Sequence, residues 1–270
     1  MKYFYEKTSD HDFKIGYKVK KNIVSKTIKG ESVKVIENPF LGKLFIVNDL
    51  IQFIEKYEFV FSEIIAHSIM FSHPKVEKVL FISEFDRGII KEILKHKTVN
   101  ELFFISDKEK LQEVFEEHFF KREPNVKIVF DNAKEYIENF QNYFDIIIID
   151  SKNPDFKDKD FLKLATKSLT KEGMLGIVNG FSKEPTAIKN EFKSLKSLFK
   201  YSAFLKSSFN LQVFSNLGIK IYSKKVDVAG ITERVLNSRF KHFEGAKKLK
   251  YYSPQIHLSS MVIPKFYNIK

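Results

Sequence analysis

The sequence contains no cysteine, and arginine supplies only four of its 46 basic residues. The absence of cysteine excludes disulfide bonds, zinc sites with thiolate ligands and cysteine nucleophiles. No apolar run approaches the ~18 residues of a membrane-spanning helix, and the first residues lack the apolar core of a secretory signal. We therefore expect a cytoplasmic protein that does not enter a membrane.

Arginine scarcity also bears on the net charge of +12 at pH 7. Base recognition favours the bidentate arginine fork, and the arginines are Arg87, Arg122, Arg234 and Arg239. The many lysines are scattered along segments that are otherwise amphipathic. This pattern favours a solvated lysine-rich surface over a nucleic-acid partner, with a basic surface-binding module as the alternative.

The hydrophobic content of 43% indicates a protein with a packed core. A length of 270 residues is enough for one large domain, or for a large domain and a small one. Near the N-terminus, β-branched residues cluster in short segments between turn signals. A helical spacing of apolar residues follows over residues 58–71 and ends before His73-Pro74. We predict a small antiparallel β domain over residues 1–57, with strands at 23–28, 32–37 and 43–47.

From residue 78 onward, predicted strands alternate with predicted helices. The strands are expected at 78–82, 101–106, 126–130, 144–150 and 174–179. The helices are expected at 88–95, 109–119, 133–140 and 159–169. Such alternation predicts a mostly parallel sheet with helices on both faces, a Rossmann-like α/β domain over residues 58–270. Four consecutive isoleucines at 146–149 indicate a central strand that is buried on both faces.

Polar side chains follow these strands at four places, in residues 83–88, 106–107, 131–132 and 150–155. In open α/β sheets, ligands bind outside the carboxyl ends of the strands, where the strand order reverses. An acidic residue after a strand can instead cap the following helix. The pattern therefore indicates a ligand site at this edge, with helix capping as the alternative for each residue.

Several segments together resemble the spermidine synthases, the polyamine aminopropyltransferases. Residues 250–257, KYYSPQIH, and 261–264, MVIP, are similar to the family ending RYYxPxIHxAAFxLP. Residues 42–52 resemble GKVLxLDGxxQ, and residues 58–67 resemble the helix EFxYHExLAH. Residues 150–154, DSKNP, resemble DSxDP, and residues 79–88 stand where the family has VLxIGGGDGG. The similarity spans residues 13–264, nearly the whole chain.

The resemblance implies a class I methyltransferase-type fold and transfer of an aminopropyl group from decarboxylated S-adenosylmethionine to putrescine. It implies that Asp150 is the proton acceptor, that Asp86 holds the aminopropyl ammonium and that Gln52 contacts the nucleoside product. It further implies substrate binding by Ser62, Asn153 and Tyr252, with core packing as the alternative for Tyr252. Asp155 is expected to stand in partly for the charge that Asn153 lacks. For the nucleoside of the co-substrate, the resemblance implies Ser83, Ser106, Asp107, Asn132 and Ala133. Neither a metal nor a permanently bound cofactor is expected.

The sequence departs from the family pattern at several of these positions. Residues 83–88 read SEFDRG and keep one glycine of the family's five, although glycine lets the backbone approach a nucleoside closely. Ser106 replaces a ribose-binding glutamate, and Asn153 replaces an aspartate of the diamine site. Phe61-Ser62 stands in place of a Tyr-His pair, and Val178 in place of a glutamine.

These departures leave two alternatives to an active aminopropyltransferase. One is a non-catalytic or re-purposed relative that binds a nucleoside or polyamine, and the other is an S-adenosylmethionine-dependent methyltransferase. We also expect a homodimer that uses the helix at 58–71. The polar segment 151–160 is expected to act as a mobile gate anchored by Phe156, with a plain surface connection as the alternative.

Overall fold

A computed structural model describes residues 2–7, 14–180, 195, 197–207, 217–263 and 265. They form two compact units, one from residues 1–58 with 109–122 and the other from residues 59–108 with 123–270. Within the described residues, no helix is long and apolar enough to cross a membrane.

The first unit contains two antiparallel sheets. A hairpin pairs β1, Tyr3–Glu6, with β2, Ile15–Lys18. A four-stranded sheet follows in chain order, formed by β3 (Lys21–Ile28), β4 (Glu31–Asn38), β5 (Gly42–Val47) and β6 (Leu50–Ile54). Its tight turns use left-handed residues, Lys29-Gly30 between β3 and β4 and Asn48-Asp49 between β5 and β6, as two-residue hairpins require. The three predicted strands of this region are confirmed.

A helix that is distant in sequence completes the same unit. This helix, α3, spans Glu109–His118. Phe115 on α3 packs edge-on against Phe45 and Phe53, with ring centroids 5.3 Å and 5.0 Å apart. Aromatic pairs in this arrangement are worth about 0.5–1.5 kcal/mol beyond their buried area.

The second unit is built on a seven-stranded sheet. Its strands are β7 (Lys78–Ser83), β8 (Glu101–Ile105), β9 (Lys127–Val129), β10 (Phe144–Asp150), β11 (Leu169–Gly180), β12 (Tyr201–Lys206) and β13 (Leu217–Ser223). The strand order is β12-β13-β11-β10-β7-β8-β9. Pairings from β11 to β9 are parallel, whereas β13 is antiparallel to both of its neighbours. The order reverses between β7 and β10, and the predicted Rossmann-like fold is confirmed.

Helices cover this sheet on both faces. They are α1 (Glu58–Ser72), α2 (Ile89–Ile93), α4 (Ala133–Ile137), α5 (Lys159–Ser168), α6 (Glu233–Lys241) and α7 (Pro254–Ser260). The helices α2 and α4 are shorter than the predicted spans 88–95 and 133–140. After Ile137 the chain tightens into i to i+3 hydrogen bonds, such as that from the Phe140 N–H to the Ile137 carbonyl at 3.1 Å. The helix therefore ends before the chain turns into β10.

The isoleucine run of β10 divides between the two faces of the sheet. Ile146 and Ile148 lie in one cluster with α1, while Ile147 and Ile149 lie in the other with Phe161 of α5. Burying such a side chain fully stabilises the fold by about 1.5–3 kcal/mol. The prediction of a central strand that is buried on both faces is confirmed, and its bounds are those expected.

Candidate functional site

The carboxyl ends of β7 and β10 lie side by side at the reversal of strand order. In the parallel register, Ser83 at the end of β7 faces Asp150 at the end of β10. The Ser83 hydroxyl lies 2.9 Å from the backbone carbonyl oxygens of both Asp150 and Phe85. It therefore ties the loop after β7 to the end of β10, so the last residues of the two strands hold a defined spacing.

A cavity of about 430 Å³ opens beside these strand ends. Its apolar wall consists of Ile82, Ile105, Ala133, Phe156 and Phe161. Predicted polar residues also line it, namely Ser83, Ser106, Asp107, Asn132, Asn153 and Asp155. An apolar pocket with a few converging polar groups is the usual form of a small-molecule site. The structure thus brings together all five residues predicted for the nucleoside and two predicted for the substrate.

The Ser106 hydroxyl, near the floor of the cavity, is held by backbone groups. It donates to the Glu84 carbonyl at 2.9 Å and accepts from the Lys108 N–H at 3.0 Å. Ser106 is buried, whereas the neighbouring Asp107 is exposed. The carboxylate that can reach a ligand hydroxyl at this strand end is therefore that of Asp107.

Two asparagines at the rim of the cavity begin helical turns. Asn132 caps α4 by accepting from the Lys134 N–H at 2.9 Å. Asn153 accepts from the Asp155 N–H at 3.0 Å and begins a 3-10 turn over Pro154–Lys157. Phe156 of this turn packs against Phe161, with ring centroids 5.0 Å apart. The helix-capping alternative thus describes the contacts of both asparagines, which still line the cavity.

The side chain of Asp86 caps α2, the helix that begins three residues later. Its Oδ1 accepts hydrogen bonds from the backbone N–H groups of Gly88, Ile89 and Ile90 at 2.8–3.2 Å. Burial raises the pKa of Asp86 to about 6, although these three hydrogen bonds favour the ionised form. Asp86 does not line the cavity described above, and the observed contact is a cap at the start of α2.

Asp150 is paired with Arg87, a residue that was not predicted to belong to the site. The guanidinium Nε donates to Asp150 Oδ2 at 3.1 Å, and Nη2 donates to Oδ1. Both side chains are largely withdrawn from solvent, with exposed fractions of 15% for Arg87 and 6% for Asp150. Such bidentate pairs are among the stronger hydrogen bonds in proteins.

The aromatic ring of Phe61 also contacts Arg87. The guanidinium carbon lies 4.0 Å from the centroid of this ring, which is within cation–π distance. Phe61 stands on α1, and 6% of it is exposed. One sequence signal could have found Arg87, because it is one of four arginines and stands within the loop that follows β7.

The remaining predicted residues lie elsewhere. Tyr252 is buried in the core, where its hydroxyl is 2.7 Å from His257 Nδ1 and its ring stacks on Phe71. Ser62 is fully buried on α1. Gln52 belongs to the first unit, and its side-chain amide donates to the Leu50 carbonyl at 3.3 Å. Neither Tyr252 nor Ser62 lines the cavity.

Comparison with known proteins gives one family match. Residues 58–230 match the family model described as "Spermine/spermidine synthase domain". A polyamine aminopropyltransferase from Hydrogenobaculum sp. is 27% identical over 275 residues, which cover 98% of this chain and 95% of the relative. A spermidine synthase from Schizosaccharomyces pombe is 27% identical over 260 residues, which cover 92% of this chain and 86% of the relative.

Solved structures resemble the whole chain in fold. The crystal structure of spermidine synthase from Thermotoga maritima superposes with a TM-score of 0.87 at 24% sequence identity. The match covers 98% of this chain and 92% of that one. A crystal structure of spermidine synthase in complex with the transition state analogue AdoDATO matches equally well, at a TM-score of 0.87.

Proposed function

Because the chain belongs to the spermine/spermidine synthase family, we propose that it is an aminopropyltransferase, as its curated relatives are named. The donor is decarboxylated S-adenosylmethionine and the acceptor is putrescine, so the products are spermidine and methylthioadenosine. The observation that carries the proposal is the position of the cavity at the strand ends. Asp150 itself does not line the cavity, but its chain neighbour Ser151 and its register partner Ser83 do.

The cavity supports the donor part of the proposal. Ile82, Ile105 and Ala133 offer an apolar surface for the adenine. Asp107 can accept hydrogen bonds from the ribose hydroxyls, which compensates for Ser106 at the neighbouring position. A volume of about 430 Å³ falls within the usual range for small-molecule sites, roughly 300–1,000 Å³.

The transfer itself needs a base and correct alignment. An alkylammonium has a pKa of about 10 in water, so it must first give a proton to the Asp150 carboxylate. The lone pair of the neutral amine nitrogen then forms a bond to the aminopropyl carbon next to sulfur. As this bond forms, the carbon–sulfur bond breaks, and its electron pair remains on sulfur, which becomes the neutral thioether of methylthioadenosine.

A second candidate function follows from one observation. Because Arg87 holds both carboxylate oxygens of Asp150, the base is engaged before any amine arrives. A relative that binds the nucleoside without transfer would have this arrangement in its resting state. The two candidates differ only in whether Asp150 becomes available to an amine.

The deciding experiment incubates the purified protein with decarboxylated S-adenosylmethionine and a panel of amines, and measures products by mass spectrometry. We expect spermidine and methylthioadenosine with putrescine. Asp150→Asn should lower the rate by on the order of 10²–10⁴-fold, the usual contribution of a positioned acid or base. Glu244→Gln is the control, because Glu244 is an exposed carboxylate paired with Lys97 and lies outside the cavity and the segment 151–160.

Two outcomes would contradict an active aminopropyltransferase. If no amine yields product while methylthioadenosine still binds, the chain is the binding relative. If S-adenosylmethionine donates a methyl group instead, the methyltransferase alternative holds.

A further inference from the structure

The ion pair between Arg87 and Asp150 places a cation of the chain itself at the proposed base. Guanidinium and alkylammonium groups are both cations that donate hydrogen bonds to carboxylates. Each of the two Asp150 oxygens already accepts one such bond from Arg87. A substrate ammonium that approaches Asp150 therefore meets a group with the same charge and the same kind of hydrogen-bond donor.

Little space remains beside this pair for a second cation. Only 6% of the Asp150 side chain is exposed, and the guanidinium of Arg87 is held against the ring of Phe61. Two cations on one buried carboxylate would repel each other in a region of low dielectric. Binding of Arg87 and binding of the amine to Asp150 are therefore mutually exclusive.

We propose that Arg87 is a built-in competitor of the amine substrate, a specificity-determining residue that an ammonium must displace from Asp150 before transfer. This inference rests on the proposed function, which makes Asp150 the base. It concerns the acceptor alone, because Arg87 does not line the cavity assigned to the nucleoside.

The loop after β7 contains a second carboxylate, that of Glu84, with which the displaced guanidinium can pair. Glu84 interacts electrostatically with both Arg87 and Asp150. Its carboxylate is partly withdrawn from solvent and accepts from the Lys152 N–H at 3.4 Å. Displacement therefore exchanges one carboxylate partner for another and does not leave Arg87 without a counter-charge.

Competition of this kind lowers the apparent affinity for the amine by the fraction of molecules in which Asp150 is open. If Arg87 covers Asp150 in ~90% of the molecules, the amine binds about tenfold more weakly than to an open site. The nucleoside would lose nothing, because its site does not include Arg87. Competition therefore predicts a lower affinity for the amine and an unchanged affinity for the nucleoside.

The test compares Arg87→Gln and Arg87→Lys with the wild type. Putrescine is titrated by calorimetry into protein saturated with methylthioadenosine, and the Michaelis constant for putrescine is measured separately. We expect Arg87→Gln to bind putrescine at least about tenfold more tightly, with unchanged affinity for methylthioadenosine. Arg87→Lys should fall between the two, because ammonium keeps the charge but lacks the bidentate fork.

Arg122→Gln is the control, since Arg122 forms an exposed pair with Glu116 in the first unit. Unchanged or weaker putrescine binding in Arg87→Gln, or no putrescine binding in either protein, would overturn the proposal. A lower maximal rate without tighter binding would make Arg87 a positioning residue and would also overturn it. Because calorimetry does not require turnover, tighter binding would support competition even if no variant made product and the proposed function failed.

Discussion

The carboxylate of Glu63, on α1, accepts a hydrogen bond from the backbone N–H of Tyr252 at 2.8 Å, although the two residues are 189 positions apart. It also accepts from the N–H groups of Lys250 and Tyr251. Glu63 is 1% exposed. One buried carboxylate therefore satisfies three consecutive backbone donors of the segment whose KYYSPQIH sequence resembles the family.

Glu63→Gln should destabilise the protein by on the order of 3 kcal/mol, because an amide places a donor against backbone donors and removes charge-assisted hydrogen bonds. Urea unfolding measures the change. Glu244→Gln is the control, since Glu244 forms an exposed pair with Lys97 and such pairs contribute about 0–1 kcal/mol. Equal stabilities of the two variants would contradict the role of Glu63.

The buried carboxyl of Asp86 should make stability depend on pH. Its pKa is raised from 3.8 to about 6 in the folded protein. Between these values the folded state keeps a proton that the unfolded state has lost, so stability falls as pH rises. The wild type should lose on the order of 3 kcal/mol relative to Asp86→Asn between about pH 4 and 7.

Denaturant unfolding of wild type and Asp86→Asn over this range isolates the titration of Asp86, because the other groups are common to both. Above about pH 7 the difference should stay constant. A difference that does not vary with pH would show that Asp86 titrates normally.

Asn153→Asp should lower the Michaelis constant for putrescine. A carboxylate about 4 Å from an ammonium is worth up to about 4 kcal/mol at an effective dielectric of ~20, before desolvation. Aspartate can still accept the N–H of Asp155 that Asn153 binds at 3.0 Å, so the 3-10 turn should persist. We expect about a tenfold decrease, or ~1.4 kcal/mol. An unchanged or higher constant would mean that another group, such as Asp155, already serves the amine.

The segment after β10 should become protected when ligands bind. It lines the cavity through Asn153, Asp155, Phe156 and Asp158, so a bound nucleoside would contact it. Hydrogen exchange should slow across residues 152–160 on addition of methylthioadenosine with putrescine. Equal exchange with and without ligands would mean that the segment is a plain surface connection and not a gate.

A homodimer remains a prediction, but α1 no longer supplies its surface. All the residues of this helix from Val60 to Ser72 are buried within the single chain. Its apolar character on all sides is therefore explained by its place in the core. Sedimentation velocity at micromolar concentration should give a mass near twice 31.7 kDa, and a monomer would contradict the prediction.

Much of the fold could be predicted because the local sequence patterns indicate the same strands and turns that the sheets contain. The continuous apolar run of four isoleucines places β10 over Phe144–Asp150, because a strand that is apolar on both sides is typical of a sheet covered on both faces. Lys29-Gly30 likewise marks a hairpin, and both turn residues have the left-handed backbone conformation that a two-residue turn requires. By contrast, the packing of α3 against Phe45 and Phe53 joins distant parts of the chain, and no local pattern carries it.

At the candidate site, the polar residues that follow the strands could be identified from the sequence, because strand and turn signals are local. Their partners depend on the tertiary structure. Parallel pairing of β7 with β10 brings Arg87 to Asp150, 63 positions away, while Asp86 beside it turns to its own helix. Which cation neutralises a carboxylate depends on three-dimensional distance and burial, and neither is encoded in the spacing of residues along the chain.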